Sequence, residues 1–203
     1  MIAILDYDMA NLRSVQKALE KVGHEATITS DPAVAAAAKR LILPGVGAFA
    51  DAISAVRERG LDKVIVDSTA AGKPLLGICL GLQLLFETSL EDGEHQGLGI
   101  LPGRVVPFDL PRQYKVPHMG WNQIRFPTDK PPLYEGVDEG EHFYFVHTYF
   151  VEPSDRQLIA TSTDYGGEFC SSISRGNLFA TQFHPEKSQS AGLRLLKNFA
   201  EIV

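Results

Sequence analysis

The sequence has 203 residues, a length that suits one domain with a sizeable core or at most two small ones. Apolar residues make up 44% of it and charged residues 22%, as in an ordinary soluble globular protein. The formal net charge is −6, so the sequence lacks the basic face that nucleic acid or an anionic membrane would require. We therefore expect neither as a partner.

The lack of targeting signals and the two cysteines predict a location in the cytoplasm. No apolar run approaches the ~18 residues of a membrane span. A strand is predicted over residues 1–5, and these residues have neither the basic segment nor the cleavage site of a secretory signal peptide. The two cysteines are Cys79 and Cys170, and a reducing compartment with free thiols is a better explanation of them than a disulfide.

The first part of the chain alternates strand and helix. Apolar runs predict strands over 2–5, 26–29, 40–43 and 74–78. Helical spacing predicts helices over 12–22, 33–38, 49–57 and 61–71, and an amphipathic helix from 80 through 86. Strands separated by helices imply a parallel sheet with helices on both faces.

Beyond residue 91 the pattern changes to a period of two. Alternating runs predict strands over 103–108, 120–126, 142–151, 158–163, 169–175 and 178–183, separated by clusters of glycine, proline and aspartate. An amphipathic helix over 191–202 follows. No repeat or long linker interrupts the chain, so we predict a single α/β domain over residues 1–203. Its central sheet is mixed and mostly parallel, and helices flank it.

A cysteine stands at the junction of a predicted strand and helix, in Leu75-Leu76-Gly77-Ile78-Cys79-Leu80-Gly81. Gly-x-Cys-x-Gly in this position is typical of a nucleophile elbow, with the nucleophile at the carboxyl end of a strand. Gly77 and Gly81 have no Cβ, so they tolerate the tight turn and the close packing around it. The helix that starts at Leu80 directs backbone N–H groups at Cys79, which favours the thiolate and an oxyanion. The alternative is a buried structural cysteine between two packing glycines.

A base for this nucleophile is predicted near the other end of the chain, in Phe183-His184-Pro185-Glu186. Pro185 biases His184 towards an extended backbone, in which His184 and Glu186 point to the same side. Glu186 can then orient the imidazole while the other ring nitrogen faces Cys79. A surface turn is the alternative for the motif alone, but together with the elbow it predicts a Cys-His-Glu catalytic triad.

The turn Gly45-Val46-Gly47 follows the third predicted strand. A dinucleotide-binding loop would need a third glycine and a suitably placed acidic residue, and both are lacking. We predict instead an oxyanion hole, in which the N–H of Val46 or Gly47 lies opposite that of Leu80. Because glycines flank it, this peptide can also rotate and make the hole switchable.

The remaining histidines give no metal site. No compact set has the spacing of metal ligands, so we expect neither a metal nor another cofactor. His118 and His147 resemble candidate bases, but neither is followed by an orienting carboxylate. Cys170 lies in an alternating strand and is expected to be a small core residue.

Together these motifs resemble the class I, triad-type glutamine amidotransferases over essentially the whole chain. Further stretches are similar to the glutaminase subunits of imidazole glycerol phosphate synthases within that family, which serve histidine biosynthesis. The residues that carry the resemblance are Leu43-Pro44-Gly45-Val46-Gly47-Ala48-Phe49, the elbow, Pro117-His118-Met119-Gly120-Trp121-Asn122, Phe145-Val146-His147-Thr148-Tyr149 and His184-Pro185-Glu186-Lys187-Ser188.

The resemblance implies the residues that bind the substrate, glutamine. It makes Gln83 a contact to the bound glutamine and Glu91 the partner of its α-ammonium group. Thr148 and Tyr149 lie where the family binds the substrate carboxylate through backbone groups. The alternatives are a helix-surface role for Gln83 and an ordinary solvated charge for Glu91.

The resemblance also implies a partner, a (β/α)₈-barrel cyclase that forms a heterodimer with the chain and receives ammonia. Residues expected at that interface are Asn11, Met119, Trp121, Tyr144 and Lys187. One departure is Ala10, which stands where the family often has glycine, so the dihedrals of this first loop are open. Other readings are an amidotransferase for pyridoxal phosphate, anthranilate or nucleotide synthesis, a non-catalytic regulatory subunit, and a cysteine peptidase.

Overall fold

A computed structural model describes residues 1–127 and 129–202. Up to Ser89 the chain alternates strands with helices, as the sequence predicts. The strands are β1 (Ile2–Leu5), β2 (Ala26–Thr29), β3 (Arg40–Gly45), β4 (Leu75–Cys79) and β5 (Phe86–Ser89); the helices are α1 (Leu12–Lys21), α2 (Pro32–Ala37), α3 (Phe49–Glu58), α4 (Leu61–Ala70) and α5 (Leu80–Leu84).

The remainder is mostly β-structure, closed by a long helix. It comprises β6 (His95–Gln96), β7 (Leu101–Pro107), β8 (His118–Gln123), β9 (His142–His147), β10 (Tyr149–Pro153), β11 (Ile159–Asp164), β12 (Glu168–Arg175), β13 (Leu178–Thr181) and α6 (Gln189–Glu201), with short 3₁₀ turns at Pro132–Tyr134, Arg156–Leu158 and Pro185–Lys187.

One mixed sheet runs through the molecule in the order β2-β1-β3-β4-β13-β12-β10-β7-β5-β6, with β11 paired to β12. The half from β2 to β13 is parallel, whereas β12 runs antiparallel to both β13 and β10. This confirms the predicted fold class. Because β4 lies between β3 and β13, Cys79 at its carboxyl end pairs with Gly45 and lies near the residues that follow Thr181.

The two faces of the parallel half are covered by separate apolar clusters. Alternate residues of β1 divide between them, with Leu5 on one face and Ile4 on the other. Helices α3 and α4 cover the first face, while α1 and α6 cover the second. Burial on both faces explains the continuous apolar runs that predict these strands. Among the described residues, no helix has both the length and the apolar character needed to cross a membrane.

The predicted helix over 80–86 is wrong in length and character. Helix α5 spans only Leu80–Leu84 and all of its residues are buried, so it has no polar face. Phe86 begins β5, which pairs in parallel with β7. Pairing of Phe86 with β7 therefore ends the helix earlier than the helical spacing of the leucines predicts.

The predicted strand over 142–151 is broken in two. β9 forms a separate antiparallel ribbon with β8, and β10 belongs to the large sheet, with Thr148 at the break. Residues 143, 145 and 147 are buried in alternation with more exposed neighbours, but residues 148–150 are all half-buried, so the alternation is interrupted at the break. The break faces the carboxyl end of β4 and supplies part of the cavity described below.

Gly81 is the tightest point of the elbow, and its replacement by alanine is expected to destabilise the fold. The added Cβ would lie 1.8 Å from the backbone oxygen of Leu43, which belongs to a buried central strand and cannot yield. We expect the free energy of unfolding to fall by about 3 kcal/mol in chemical denaturation. Gly167→Ala, with nothing within 4 Å of the added Cβ, is the control, and equal stability of the two variants would contradict this packing.

Candidate active site

Cys79 ends β4 in a strained conformation, with φ 55° and ψ −111°. A non-glycine residue with positive φ is uncommon and is typical of functional sites. Close packing holds the turn: a Cβ at Gly77 would lie 2.9 Å from both the Ala180 Cβ and the Gly81 oxygen. The structure therefore forms the predicted strand–turn–helix, with Cys79 immediately before α5.

The Cys79 thiol borders a cavity of about 380 Å³ rather than a sealed apolar core. Its Sγ lies 3.9 Å from the Val146 oxygen, and Gln182 Nε2 donates to it at 3.7 Å. The cavity is lined by Val46, Gly47, Cys79, Leu80, Gln83, Glu91, Pro117, Val146, His147, Thr148, Tyr149 and His184. The lining thus includes all the predicted oxyanion-hole and substrate residues, together with Cys79 and His184.

His184 and Glu186 form a buried pair. His184 Nδ1 lies 2.8 Å from Glu186 Oε1, and the side chains are only 3% and 2% exposed. Glu186 lies in the 3₁₀ turn Pro185–Lys187 rather than in extended chain, so the predicted pairing occurs through a different local geometry. His184 itself is extended, and its backbone N–H donates to the Tyr144 oxygen at 2.9 Å.

Burial lowers the pKa of His184, but attraction to the neighbouring Cys79 sulfur and the Glu186 carboxylate outweighs it and raises the pKa to about 10. The buried Nε2 makes no hydrogen bond of ordinary geometry with any described residue. This arrangement favours the protonated imidazolium of His184 beside Cys79. It is the charge state that a cysteine nucleophile needs.

The two backbone donors predicted in the oxyanion-hole turn differ in their hydrogen bonds. The Val46 N–H donates to the Met9 oxygen at 2.8 Å, so it is occupied in this conformation. The Gly47 N–H donates to none of the described residues. Gly47 has φ +100°, which glycine adopts readily. Of the two donors predicted in this turn, only Gly47 is free.

Gln83 and Glu91 both face the cavity, but each also supports the fold. Gln83 is buried, and its Nε2 donates to the Tyr149 oxygen at 3.1 Å and to Gln182 Oε1 at 3.2 Å. Glu91 Oε2 accepts a 2.8 Å hydrogen bond from the N–H of Phe49, the first residue of α3. Partial burial raises the pKa of Glu91, opposed by that hydrogen bond.

Gln182 is a further residue of this site that the sequence motifs do not indicate. It is fully buried and its amide bridges Gln83 and the Cys79 sulfur. Its position two residues before His184 was the available signal, because alternate residues of an extended chain share a side. No group of three metal-binding side chains occurs within residues 1–127 and 129–202.

Comparison with known proteins identifies the family. The family described as "Glutamine amidotransferase class-I" matches residues 3–203. The chain belongs to this family. As a class I glutamine amidotransferase it is an enzyme with glutaminase chemistry, as the sequence motifs predict.

Within this amidotransferase family, close relatives share one name. The chain is 61% identical to "Imidazole glycerol phosphate synthase subunit HisH" of Rhodopirellula baltica, over 98% of this chain and 97% of the relative. It is 55% identical to the subunit of the same name from Syntrophotalea carbinolica, over the full length of both. These relatives confirm the resemblance that the sequence motifs carry.

Solved structures confirm the fold. A glutamine amidotransferase crystal structure superposes with a TM-score of 0.76 at 21% identity, covering 99% of both chains. PurLQS from Thermotoga maritima gives a TM-score of 0.74 at 20% identity, covering 98% of this chain and 96% of that chain.

The predicted interface residues of this amidotransferase lie near the cavity. Met119 and Trp121 on β8 are 62% and 47% exposed. The Trp121 ring packs edge-on against Tyr144 with centroids 6.1 Å apart, and Lys187 Nζ lies 5.9 Å from the Tyr144 centroid. Asn11 is exposed and borders a small cavity together with His184 and Glu186. The structure therefore brings the predicted interface residues to the surroundings of the His184–Glu186 pair.

Proposed function

We propose that the chain hydrolyses glutamine to glutamate and ammonia and delivers the ammonia to a cyclase that makes imidazole glycerol phosphate in histidine biosynthesis. The observation that carries this proposal is the convergence of Cys79 and His184 on one cavity, with Glu186 paired to His184, although Cys79 and His184 are more than a hundred residues apart. The names of the relatives supply the synthase and its pathway.

The reaction assigns one role to each member of the triad. The Cys79 thiolate attacks the side-chain amide carbon of glutamine, and the imidazolium of His184 protonates the departing ammonia. His184 then takes a proton from water, which attacks the thioester carbon, and Cys79 leaves as thiolate with release of glutamate. Glu186 keeps Nδ1 protonated and stabilises the imidazolium.

The oxyanion formed in each step is stabilised by the backbone N–H groups of Leu80 and Gly47 in this proposal. One such donor is worth ~10²–10³ in rate. The Val46 N–H joins them only if the Gly45–Val46 peptide rotates away from the Met9 oxygen, which costs a 2.8 Å hydrogen bond. Val46 is 41% exposed, so a docked partner can reach this turn.

We assign glutamine binding to other residues that line the same cavity. Gln83 contacts the bound substrate, and the Glu91 carboxylate pairs with its α-ammonium group. Backbone groups of Thr148 and Tyr149, at the break between β9 and β10, bind the α-carboxylate. All of these residues line the cavity that contains the thiol.

The partner in this proposal is a (β/α)₈-barrel cyclase in a heterodimer. Ammonia released into water would be protonated and lost, so the exit from the site must be covered. Apolar side chains cluster on this side of the molecule: Val46, Met119 and Trp121 are all more than 40% exposed, and aromatic and apolar anchors of this kind dominate interfaces.

The proposal places the chain in the cytoplasm as one domain over residues 1–203. Both cysteines are free, as expected in a reducing compartment. Burial raises the pKa of the Cys170 thiol to about 12, so this second cysteine stays protonated and unreactive.

Co-purification with the cyclase subunit tests this function. The complex is expected to release one glutamate per imidazole glycerol phosphate formed, and a glutamine-analogue electrophile is expected to alkylate Cys79 and stop both. A stable complex that works only with ammonium, and whose Cys79 resists alkylation, would instead identify a regulatory subunit. Activity with a different synthase would identify another amidotransferase of the class.

Trp121→Ala is expected to weaken binding of the cyclase about 30-fold, because a half-exposed tryptophan beside an aromatic neighbour is a typical interface anchor worth ~2 kcal/mol. Titration calorimetry of the two purified subunits measures this. Val66→Ala truncates another exposed apolar side chain, 39% exposed on α4, and serves as the control. The same affinity loss in both variants would show that Trp121 is no anchor.

A further inference from the structure

Two buried histidines outside the triad are hydrogen-bonded to each other beside the glutamine site. His118 Nδ1 on β8 lies 2.9 Å from His147 Nε2 on β9, and the residues are 3% and 6% exposed. His147 Nδ1 lies 2.9 Å from the backbone oxygen of Tyr149, and His147 lines the cavity. At the other end of the pair, Asn122 Nδ2 lies 3.3 Å from His118 Nε2.

These hydrogen bonds form a series from Asn122 through His118 and His147 to Tyr149, and the groups at its two ends fix the direction of every bond in it. The Tyr149 oxygen only accepts, so His147 carries its proton on Nδ1 and accepts at Nε2. His118 must then donate from Nδ1 and accept at Nε2 from the Asn122 amide. That amide also donates to the Asp164 oxygen at 2.9 Å, which sets its orientation. Both imidazoles are therefore neutral and carry the proton on Nδ1.

The surroundings keep the pair neutral. Burial lowers the pKa of His118 to about 4 and that of His147 to about 3. Aromatic rings enclose both side chains: His118 stacks on Tyr165 and Phe145 at centroid distances of 4.0 and 4.9 Å, and Phe169 lies 5.2 Å from His147. Protonating either imidazole would place two N–H groups face to face, so the pair is unsuited to proton transfer. Its contribution is positional.

The hydrogen-bond series ends at the break between β9 and β10. The Tyr149 oxygen accepts from both His147 Nδ1 and Gln83 Nε2, so two buried side chains fix the peptide that follows Thr148–Tyr149. The hydrogen-bond series starts on β8, where His118 adjoins the exposed Met119, one of the predicted interface residues. One hydrogen-bonded path thus joins the ribbon that carries Met119 and Trp121 to the backbone that borders the glutamine cavity.

We infer that His118 and His147 are positioning residues for glutamine: together they hold the Thr148–Tyr149 backbone in its substrate-binding conformation and tie it to the ribbon β8–β9. This inference rests on the proposed glutaminase function. It assigns to the pair an effect on substrate affinity rather than on bond breaking, because neither imidazole replaces His184 as the base.

The test uses the complex with the cyclase and steady-state kinetics with glutamine and with ammonium. His118→Phe and His147→Phe keep an aromatic ring of similar size but remove the hydrogen bonds. Each is expected to raise KM for glutamine about tenfold and to change kcat less than twofold, the loss that one buried hydrogen bond brings. His147→Asn, whose amide nitrogen occupies the place of Nδ1, is expected to recover most of the affinity. Ammonium-dependent activity should stay unchanged in all of them.

His142→Asn is the matched control, since His142 lies on the same strand but is exposed, and its KM is expected to equal that of the wild type. A second measurement is independent of catalysis: ¹⁵N NMR at pH 7 should show both His118 and His147 as neutral rings protonated on Nδ1. A ring protonated on Nε2, or unchanged KM values in the two phenylalanine variants of an active complex, would overturn the inference. A wild-type complex that does not hydrolyse glutamine would overturn the proposed function, and with it this inference.

Discussion

Cys79→Ala is expected to reduce glutamine-dependent synthesis by the complex at least ~10⁴-fold, because no other side chain can form the thioester. The same complex supplied with ammonium should retain its activity, since ammonia then enters without the glutaminase step. Folding should also be retained. Alanine is smaller than cysteine and tolerates the positive φ at this position equally well, and the contacts of the sulfur with Gln182 and Val146 are long, at 3.7 and 3.9 Å.

Cys170→Ala is the matched control for this variant. Cys170 is equally buried, but it lies on β12, and its Sγ donates to the Ser172 oxygen at 3.4 Å. Both activities should survive this change. If Cys79→Ala abolished the ammonium-dependent reaction as well, Cys79 would be a structural residue or the alanine variant would fail to dock. Measuring complex formation by size-exclusion chromatography separates these two outcomes.

Much of the site could be predicted because its signals are local. The glycines around Cys79 mark a turn that few other sequences permit, and a Cβ at Gly81 would lie 1.8 Å from the backbone of a neighbouring strand. Pro185 fixes the extended backbone of His184, and Glu186 follows within reach. The order of strands and helices then indicates a parallel sheet whose carboxyl edge brings the two motifs together.

Other features depend on contacts between distant parts of the chain, and no local pattern announces them. The break at Thr148 interrupts a regular alternation because the chain leaves the β8–β9 ribbon for the large sheet. The Val46 N–H donates to the backbone oxygen of Met9, which lies in a loop 37 residues earlier. For the turn at Val46, the sequence alone predicts only a peptide that can rotate. Likewise, His118 and His147 look like isolated histidines until their strands pair in register.

Glu186→Gln is expected to lower glutamine-dependent activity about 10³-fold or more, since an orienting carboxylate beside a catalytic histidine typically contributes that much. The glutamine side chain fills the same buried space, but it has no charge to stabilise the imidazolium. The pKa of His184, raised to about 10 in the wild type, is therefore expected to fall. Ammonium-dependent activity should remain, which distinguishes lost glutaminase chemistry from a misfolded subunit.

The surface of the protein offers a matched control for that substitution. His24 and Glu201 form a similar pair at 3.3 Å, but the side chains are 27% and 52% exposed, so solvent screens their attraction. Glu201→Gln should leave both activities unchanged.

The pH dependence of stability adds a second readout for Glu186→Gln. A folded-state pKa above the unfolded value of ~6.5 stabilises the protein fully below that pH, and this stabilisation is lost as the pH rises towards 10. In the Glu186→Gln variant, unfolding should therefore depend less on pH across this interval than in the wild type, whereas an unchanged pH dependence would show that Glu186 does not hold the proton on His184.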